Sequence, residues 1–419
     1  MTAETSPETA PAAPAMPAMP AVPAHDWSAS LAARAARIHL TAVSGPSYPP
    51  NAAPDFISLR SGSPPPEYVP LDWLEQGAHR AWADDPTILG YGPATGSPAL
   101  RSAVAALMRE RGCADVTPEH ITLLTGAQQG IDLLARLLLD EGETVAVEEP
   151  TYPGATQAFD LFRPRYLPVP MTPHGLDLEA LETALAGGAR PRFLYTIPTF
   201  QNPTGATLPR AGRVRLVALC KQYGVPVIED DPYGELRFRG ETAAPLRALD
   251  ADVLYLGTFS KTIAPAVRTG WLVAPPALWD KLYALKEAVD INSDRITQAT
   301  VAATLATGFY PAHVERLRDL YRSRCEQMCT ALREYMPPDV TWAEPEGGFF
   351  VWLRLPPGLT TDVVEVAGRA HGVGIVPGAG CSVLPGGEAN TLRLGYCAIP
   401  ADRLAEGVRR LAAAIRGLR

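Results

Sequence analysis

The stretch DVLYLGTFSKTIAPAVRTGWLVAP, residues 252–275, sets two short apolar runs around a turn carrying hydroxyls, one lysine and one arginine. On its own the turn reads as an exposed loop after a buried strand, because Lys261 and Arg268 are of types that favour solvent and its glycines and proline mark turns. The surrounding pattern gives it more meaning. HITLLT, TVAVEE, RFLYTIP and VPVIED precede it as further strand candidates, and Leu216, Leu219, Cys220 and Tyr223 follow helical spacing until Gly224 stops them. Strands alternating with amphipathic stretches predict an α/β fold whose large, mostly parallel mixed sheet is flanked by helices. Both faces being covered, its strands are free to be apolar throughout.

After about residue 306 the pattern changes to a long polar helix, AHVERLRDLYRSRCEQMCTALREYM, then strands GGFFVWLRL, GVGIVPG and TLRLGYC, then a helix over 401–417. A smaller α+β domain is expected there. At the other end, SPETAPAAPAMPAMPAVPA (6–24) has the composition of extended, unpacked chain, and residues 27–43 read as a helix ended by prolines and glycine.

Composition excludes several functions. With 419 residues, 47% hydrophobic and 20% charged, the chain builds a substantial core, and its net charge of −8 argues against nucleic acid or anionic membrane as the main partner. No apolar run spans a bilayer, and no Lys or Arg precedes Arg34, so neither a membrane segment nor secretion is expected. Cys113, Cys220, Cys325, Cys329, Cys381 and Cys397 form no CxxC pair, which predicts reduced thiols in the cytoplasm and neither a disulfide framework nor a metal site.

Ligands of α/β sheets bind beyond the carboxyl ends of strands. There the sequence places Gly126-Ala127-Gln128 at a helix start suited to an anion, then Tyr152, Asn202, Asp230 with Tyr233, and Lys261 with Arg268. Singly each has a structural explanation, as turn former, helix cap or exposed cation. Together they supply an amine, a carboxylate, an amide, a phenol, an aromatic plane and an anion cradle, the inventory required by pyridoxal phosphate. The G-x-G-x-x-G of a nicotinamide site is missing at TGAQQG.

The ordered motifs YGPATGSPALR (91–101), TGAQQG (125–130), EPTYPG (149–154), PTFQNPTG (198–205), EDDPYGEL (229–236), GTFSKTIAPAVRTGW (257–271) and LRLGYC (392–397) resemble the fold-type I, class I/II pyridoxal phosphate aminotransferases. The resemblance is nearest to the branch with 2-aminoadipate and kynurenine aminotransferases. It implies a tail over 1–29, an arm over 30–75 contributing to the small domain, a large cofactor domain over 76–305 and a small domain over 306–419.

It also implies roles. Lys261 stands where the family has its Schiff-base lysine, Asp230 where a carboxylate pairs with the ring nitrogen, and Tyr233 and Asn202 where the ring hydroxyl is held. Asp231 remains the alternative to Asp230. Tyr152 would stack on the ring, while Ala127, Gln128, Thr258, Ser260 and Arg268 would hold the phosphate, with Tyr91 reaching it from a second subunit of a homodimer. Arg393 would clamp the substrate carboxylate, with Asn202 and the backbone at Gly62 beside the substrate and Arg60 and Arg354 as other cations. The implied reaction moves the amino group of an L-amino acid, apolar, aromatic or 2-aminoadipate-like, to a 2-oxo acid, 2-oxoglutarate being expected, by a ping-pong route.

RIHLTAVSGPSYPPNAAP (37–54) has Ser44-Gly45-Pro46 where the aminoadipate branch often carries an arginine, and its Val43 and Tyr48 favour an apolar or aromatic substrate. Decarboxylation, elimination or oxidation on the same cofactor stays open at this stage. A regulator of the aminotransferase-like class would need a basic DNA-binding module, which the Pro/Ala-rich lead-in does not supply.

Overall fold

The computed structural model describes residues 25–41, 43 and 53–419. Of the tail expected over 1–29, residues 1–24 lie outside the described residues, as do Ser44-Gly45-Pro46 and Tyr48.

Eight strands form the main sheet: β1 (Ile121–Leu124), β2 (Thr144–Glu149), β3 (Arg165–Thr172), β4 (Gly175–Leu176), β5 (Leu194–Thr196), β6 (Val227–Asp230), β7 (Leu254–Thr258) and β8 (Gly270–Val273). Their spatial order is β1-β8-β7-β6-β5-β2-β3-β4. The run from β7 to β3 is parallel, and antiparallel pairs close both edges. Chain direction across the sheet reverses between β5 and β2, and such a switch opens a crevice at the carboxyl ends of the strands.

Apolar strands and the inner faces of the crossover helices build the core. Ile131 and Leu134 of helix Ala127–Leu138 pack with Val145, Val147, Tyr195, Leu254 and Leu256, while Leu216, Leu219 and Cys220 of helix Arg210–Tyr223 cover the other face with Leu194 and Val227. Gly224 ends the latter helix in the left-handed region at φ 66°, as its position predicts.

A four-stranded antiparallel sheet, β9 (Thr341–Trp342), β10 (Phe350–Arg354), β11 (Val376–Pro377) and β12 (Thr391–Gly395), has the order β9-β10-β12-β11. Helices Tyr310–Tyr335 and Ala401–Arg416 supply its core through Leu317, Tyr321, Met328, Leu404, Val408 and Leu411. Ile57–Ser58 pairs in parallel with Val373–Gly374, and Ile57 and Leu59 join this same core. That pairing brings Arg60 to Ser63 over the end of β12.

One expectation needs correction. Residues 27–43 do not form one helix: a single helical turn, Trp27–Ser30, capped by Asp26, is followed by a 3-10 turn, Ala33–Arg37. No residue of either turn is buried, so nothing apolar supports a longer helix. Conversely, β3 was not anticipated, because Pro168 and Pro170 argue against a strand. Near the sheet edge they do little harm: β3 pairs with β2 along its length, but on the other side only Met171 and Thr172 meet β4.

Candidate active site

A cavity of about 410 Å³ opens at the carboxyl ends of the parallel strands, and the small domain closes its far wall with Phe350, Val376 and Arg393. Five of the main-sheet strands contribute side chains to it. Ala127 and Gln128 follow β1, Tyr152 follows β2, Ile197 and Asn202 follow β5, Asp230 ends β6 with Tyr233 just beyond it, and Thr258, Ser260, Lys261 and Arg268 follow β7.

The opening stretch becomes two tight turns. Thr258 Oγ1 accepts from Ser260 N at 3.1 Å and starts the 3-10 turn Phe259–Lys261; a second, Pro265–Val267, ends at Arg268 with φ 42°. Lys261 Nζ donates to Gly62 O at 2.8 Å, tying the lysine to the segment that enters from the small domain. Burial pushes the Lys261 ammonium down to about 8, Arg393 and Arg268 act in the same direction, and Cys397 and Asp230 oppose them. An amine in that range is a usable base near neutrality.

The cavity also has an end whose groups suit an anion. Helix Ala127–Leu138 begins after Gly126, whose φ of 81° few other residues adopt; a Cβ there would lie 2.3 Å from Arg268 Nη2. No side chain caps this helix start, so its first N–H groups face the cavity region shared by Thr258, Ser260 and Arg268. Arg268 is steered there by bonds from Nη2 to Thr125 O (2.9 Å) and from Nη1 to Pro265 O (3.3 Å). Thr258 Oγ1 and Ser260 Oγ are 2.9 Å apart.

Of the two adjacent aspartates, the geometry separates one from the other. Asp231 is engaged by Arg111 Nη2 at 2.5 Å and by Tyr255 Oη at 3.2 Å, and does not line the cavity. Asp230 does. Its Oδ2 accepts from Tyr195 Oη at 2.6 Å, and its buried Oδ1 has no partner. Burial raises the Asp230 carboxyl to about 7, a rise the Tyr195 bond opposes and the charge of Asp231 increases. A lone buried carboxylate oxygen is costly unless a donor meets it, so this site is built for a cationic or N–H partner.

Arg393 is buried, contrary to the ordinary expectation for a strand arginine. β12 is an inner strand with β10 and β11 on either side, and its arginine points under the entering segment. Nη1 donates to Asn202 Oδ1 (2.8 Å), Nη2 to Arg60 O (3.0 Å), Nε has no partner, and the guanidinium lies 4.0 Å from the Phe350 ring centre. Arg60 also lines the cavity, bonded to Ile375 O (2.7 Å) and paired with Glu365 (3.5 Å). Arg354 does not reach it and lies beside Glu388.

Tyr152 and Gln128 form one wall: Gln128 Nε2 donates to Gly154 O at 2.6 Å and the Tyr152 phenol to Gln128 Oε1 at 3.4 Å. Tyr233 packs edge-on against Phe349, ring centres 5.2 Å apart, which fixes its phenol at the cavity. Tyr91 is elsewhere. It is 84% exposed and outside the cavity lining of its own chain.

Tyr195 and Phe350 belong to the site and escaped the sequence reading. Both lie within strands, where the strand-end rule does not look; the parity of Tyr195 with Asp230 across neighbouring strands is the signal that finds it. Among the described residues no helix is long and apolar enough to cross a membrane, and all six cysteines are unpaired and buried.

Residues 54–411 match the model of the family "Aminotransferase class I and II". The chain is 37% identical over 374 residues to aromatic-amino-acid aminotransferase 1 of Thermococcus litoralis, covering 86% of this chain and 88% of the relative. It is 40% identical over 372 residues to the 2-aminoadipate transaminase of Thermus thermophilus, covering 87% and 91%. Among solved structures it is similar to the α-aminoadipate aminotransferase LysN of Thermus thermophilus complexed with N-(5'-phosphopyridoxyl)-L-leucine, with a TM-score of 0.86 at 37% identity, covering 94% and 99% of the two chains.

Proposed function

The chain belongs to the class I and II aminotransferases, and on that premise we propose that its own residues carry an amino group from an L-amino acid to a 2-oxo acid, with an apolar or aromatic donor and 2-oxoglutarate as acceptor. It is a pyridoxal phosphate-dependent aminotransferase. The observation that carries the residue assignment is the presence, in one cavity, of the buried amine of Lys261 and the unpartnered Oδ1 of Asp230.

The residues fit the cofactor. The uncapped helix start at Ala127 and Gln128, with Thr258, Ser260 and Arg268, suits a phosphate, and Arg268 offers a planar fork. Asp230 Oδ1 suits a protonated ring nitrogen, Asn202 and Tyr233 the ring hydroxyl, and Tyr152 a ring face. When bound, the cofactor supplies an electrophilic carbonyl and a ring that withdraws electrons from the reacting carbon.

The chain's residues do the rest. Arg393 binds the substrate carboxylate, exchanging its present acceptors for two oxygens in fork geometry, and so orients the Cα–H bond. Lys261 Nζ, neutral above about pH 8, takes the Cα proton and returns it on the other side of the exchange. Phe350 and the small domain shield the site from water. Val43, Ile197, Pro265 and Val376 are the apolar lining open to a substrate side chain.

We assign the large domain to residues 76–305 and the small one to 306–419 with the arm from residue 30, supported by the pairing of Ile57–Ser58 with Val373–Gly374. Exposed Tyr91, with Leu71, Trp82 and Leu89 also exposed, supports a homodimer in which Tyr91 reaches the partner's phosphate site. Free cysteines throughout support a cytoplasmic setting.

The test adds single amino acids to cofactor-loaded protein without any oxo acid. Conversion of the cofactor to its amine form, reversed by 2-oxoglutarate, is expected; release of carbon dioxide or ammonia instead would overturn the assignment.

A further inference from the structure

Tyr195 sits in β5, beside the strand that ends in Asp230, and is fully buried. The parallel register sets Tyr195 against Ile228, so Tyr195, Ile228 and Asp230 share one face of the sheet. The Tyr195 ring lies edge-on to Phe159, with ring centres 5.7 Å apart, and its phenol donates to Asp230 Oδ2 at 2.6 Å. The other oxygen, Oδ1, is buried without a partner in a carboxylate that lines the cavity.

We propose that Tyr195 is a positioning residue for the cofactor, its hydroxyl saturating Asp230 Oδ2 so that Oδ1 alone is presented to the ring nitrogen. The proposal rests on the pairing of Asp230 with that nitrogen set out above. Three physical arguments carry it. Asp230 is buried next to the anionic Asp231, and among the contacts that favour its charged form the Tyr195 hydrogen bond is the largest. The phenol itself is driven well above its ordinary range by burial and by the adjacent Asp230, so it remains a donor wherever the enzyme works and never competes for the proton. A carboxylate held by one oxygen also loses its freedom to rotate, which fixes the direction of the second.

The experiment measures the affinity of cofactor-free protein for pyridoxal phosphate and for the carbocyclic analogue whose ring nitrogen is replaced by C–H. The ratio of the two affinities reports the nitrogen contact and cancels general losses of stability. The unaltered protein is expected to prefer pyridoxal phosphate, Asp230→Asn to lose that preference, and Tyr195→Phe to reduce it about tenfold, the scale of a hydrogen bond to a charged group. Phe159→Leu loosens the packing while keeping the phenol and is expected to leave the ratio nearly unchanged. If Asp230→Asn keeps the preference, the pairing of Asp230 fails and the proposal falls with it. If Asp230→Asn loses the preference while Tyr195→Phe keeps it, or if Phe159→Leu lowers it as much as Tyr195→Phe, the role of Tyr195 alone is overturned.

Discussion

Arg393 Nη1 lies 2.8 Å from Asn202 Oδ1, a bond that joins an inner strand of the small domain to the loop after β5. The fork that we assign to the substrate carboxylate thereby also links the two domains at the cavity. Arg393→Lys keeps the charge and loses the fork. We expect kcat/KM to fall about 100-fold for both amino and oxo acids, chiefly through KM, with affinity for pyridoxal phosphate little changed. Steady-state kinetics beside a cofactor titration check this, and a parallel loss of cofactor would contradict it.

Asp230→Ala removes the carboxylate assigned to the ring nitrogen but leaves the groups assigned to the phosphate in place. The expected result is a drop of roughly 10²–10³-fold in the rate of the amino-acid half-reaction with the cofactor still retained on gel filtration. Loss of the cofactor with an unchanged rate in reconstituted protein would refute it.

The titration of Lys261 gives a stability prediction with a definite sign. Its folded-state value is lowered to about 8 from an ordinary 10.5, so between those values the unfolded chain binds a proton that the folded cofactor-free protein does not. Stability from this group is therefore fully present above the unfolded value and is lost as pH falls through about 8. Lys261→Met, which has no charge to bury, should melt above the unaltered protein at pH 7, with the difference shrinking as pH rises toward 10.5. A constant difference across that range would show that Lys261 is not the titrating group. The variant should also lose transamination by at least about 10²–10⁴-fold.

Substrate choice follows from the walls. Val43, Ile197, Pro265, Phe350 and Val376 offer apolar surface, and the charge of Arg60 is balanced by Glu365. Phenylalanine, tyrosine and leucine are expected to exceed 2-aminoadipate in kcat/KM by about tenfold, the scale of a modest pocket difference. Competition between amino donors in one reaction mixture measures it directly, and a preference for 2-aminoadipate would reverse the reading.

How far the sequence speaks depends on where chemistry sits relative to the strands. Ala127, Tyr152, Asn202, Asp230, Lys261 and Arg268 are legible because each follows an apolar run, and apolar runs are what a parallel sheet imposes. Asp230 and Asp231 could not be told apart from spacing, since the outcome depends on Arg111, 120 positions earlier in the chain, claiming Asp231. The burial of Arg393 is not legible in the sequence, because periodicity reports which side a residue faces, while burial depends on β10, β11 and the entering segment meeting β12. Tyr195 hid in the middle of a strand, where a tyrosine is ordinary core. β3 was concealed by its prolines, and the supposed helix over 27–43 had the pattern of one without a surface to pack against.

Lys261 and Arg268 stand at the two ends of one loop made of consecutive turns, Phe259–Lys261 and Pro265–Val267. With the roles proposed above, a single short segment sets the distance between the groups assigned to the carbonyl end and the phosphate end of the cofactor. One residue inserted or deleted would shift one end against the other by up to about 3.3–3.6 Å, more than a hydrogen bond tolerates. The loop acts as a gauge that admits changes of residue but not of length, so a lineage of this enzyme acquiring new substrates must do so by altering the walls supplied from other segments while the gauge stays fixed.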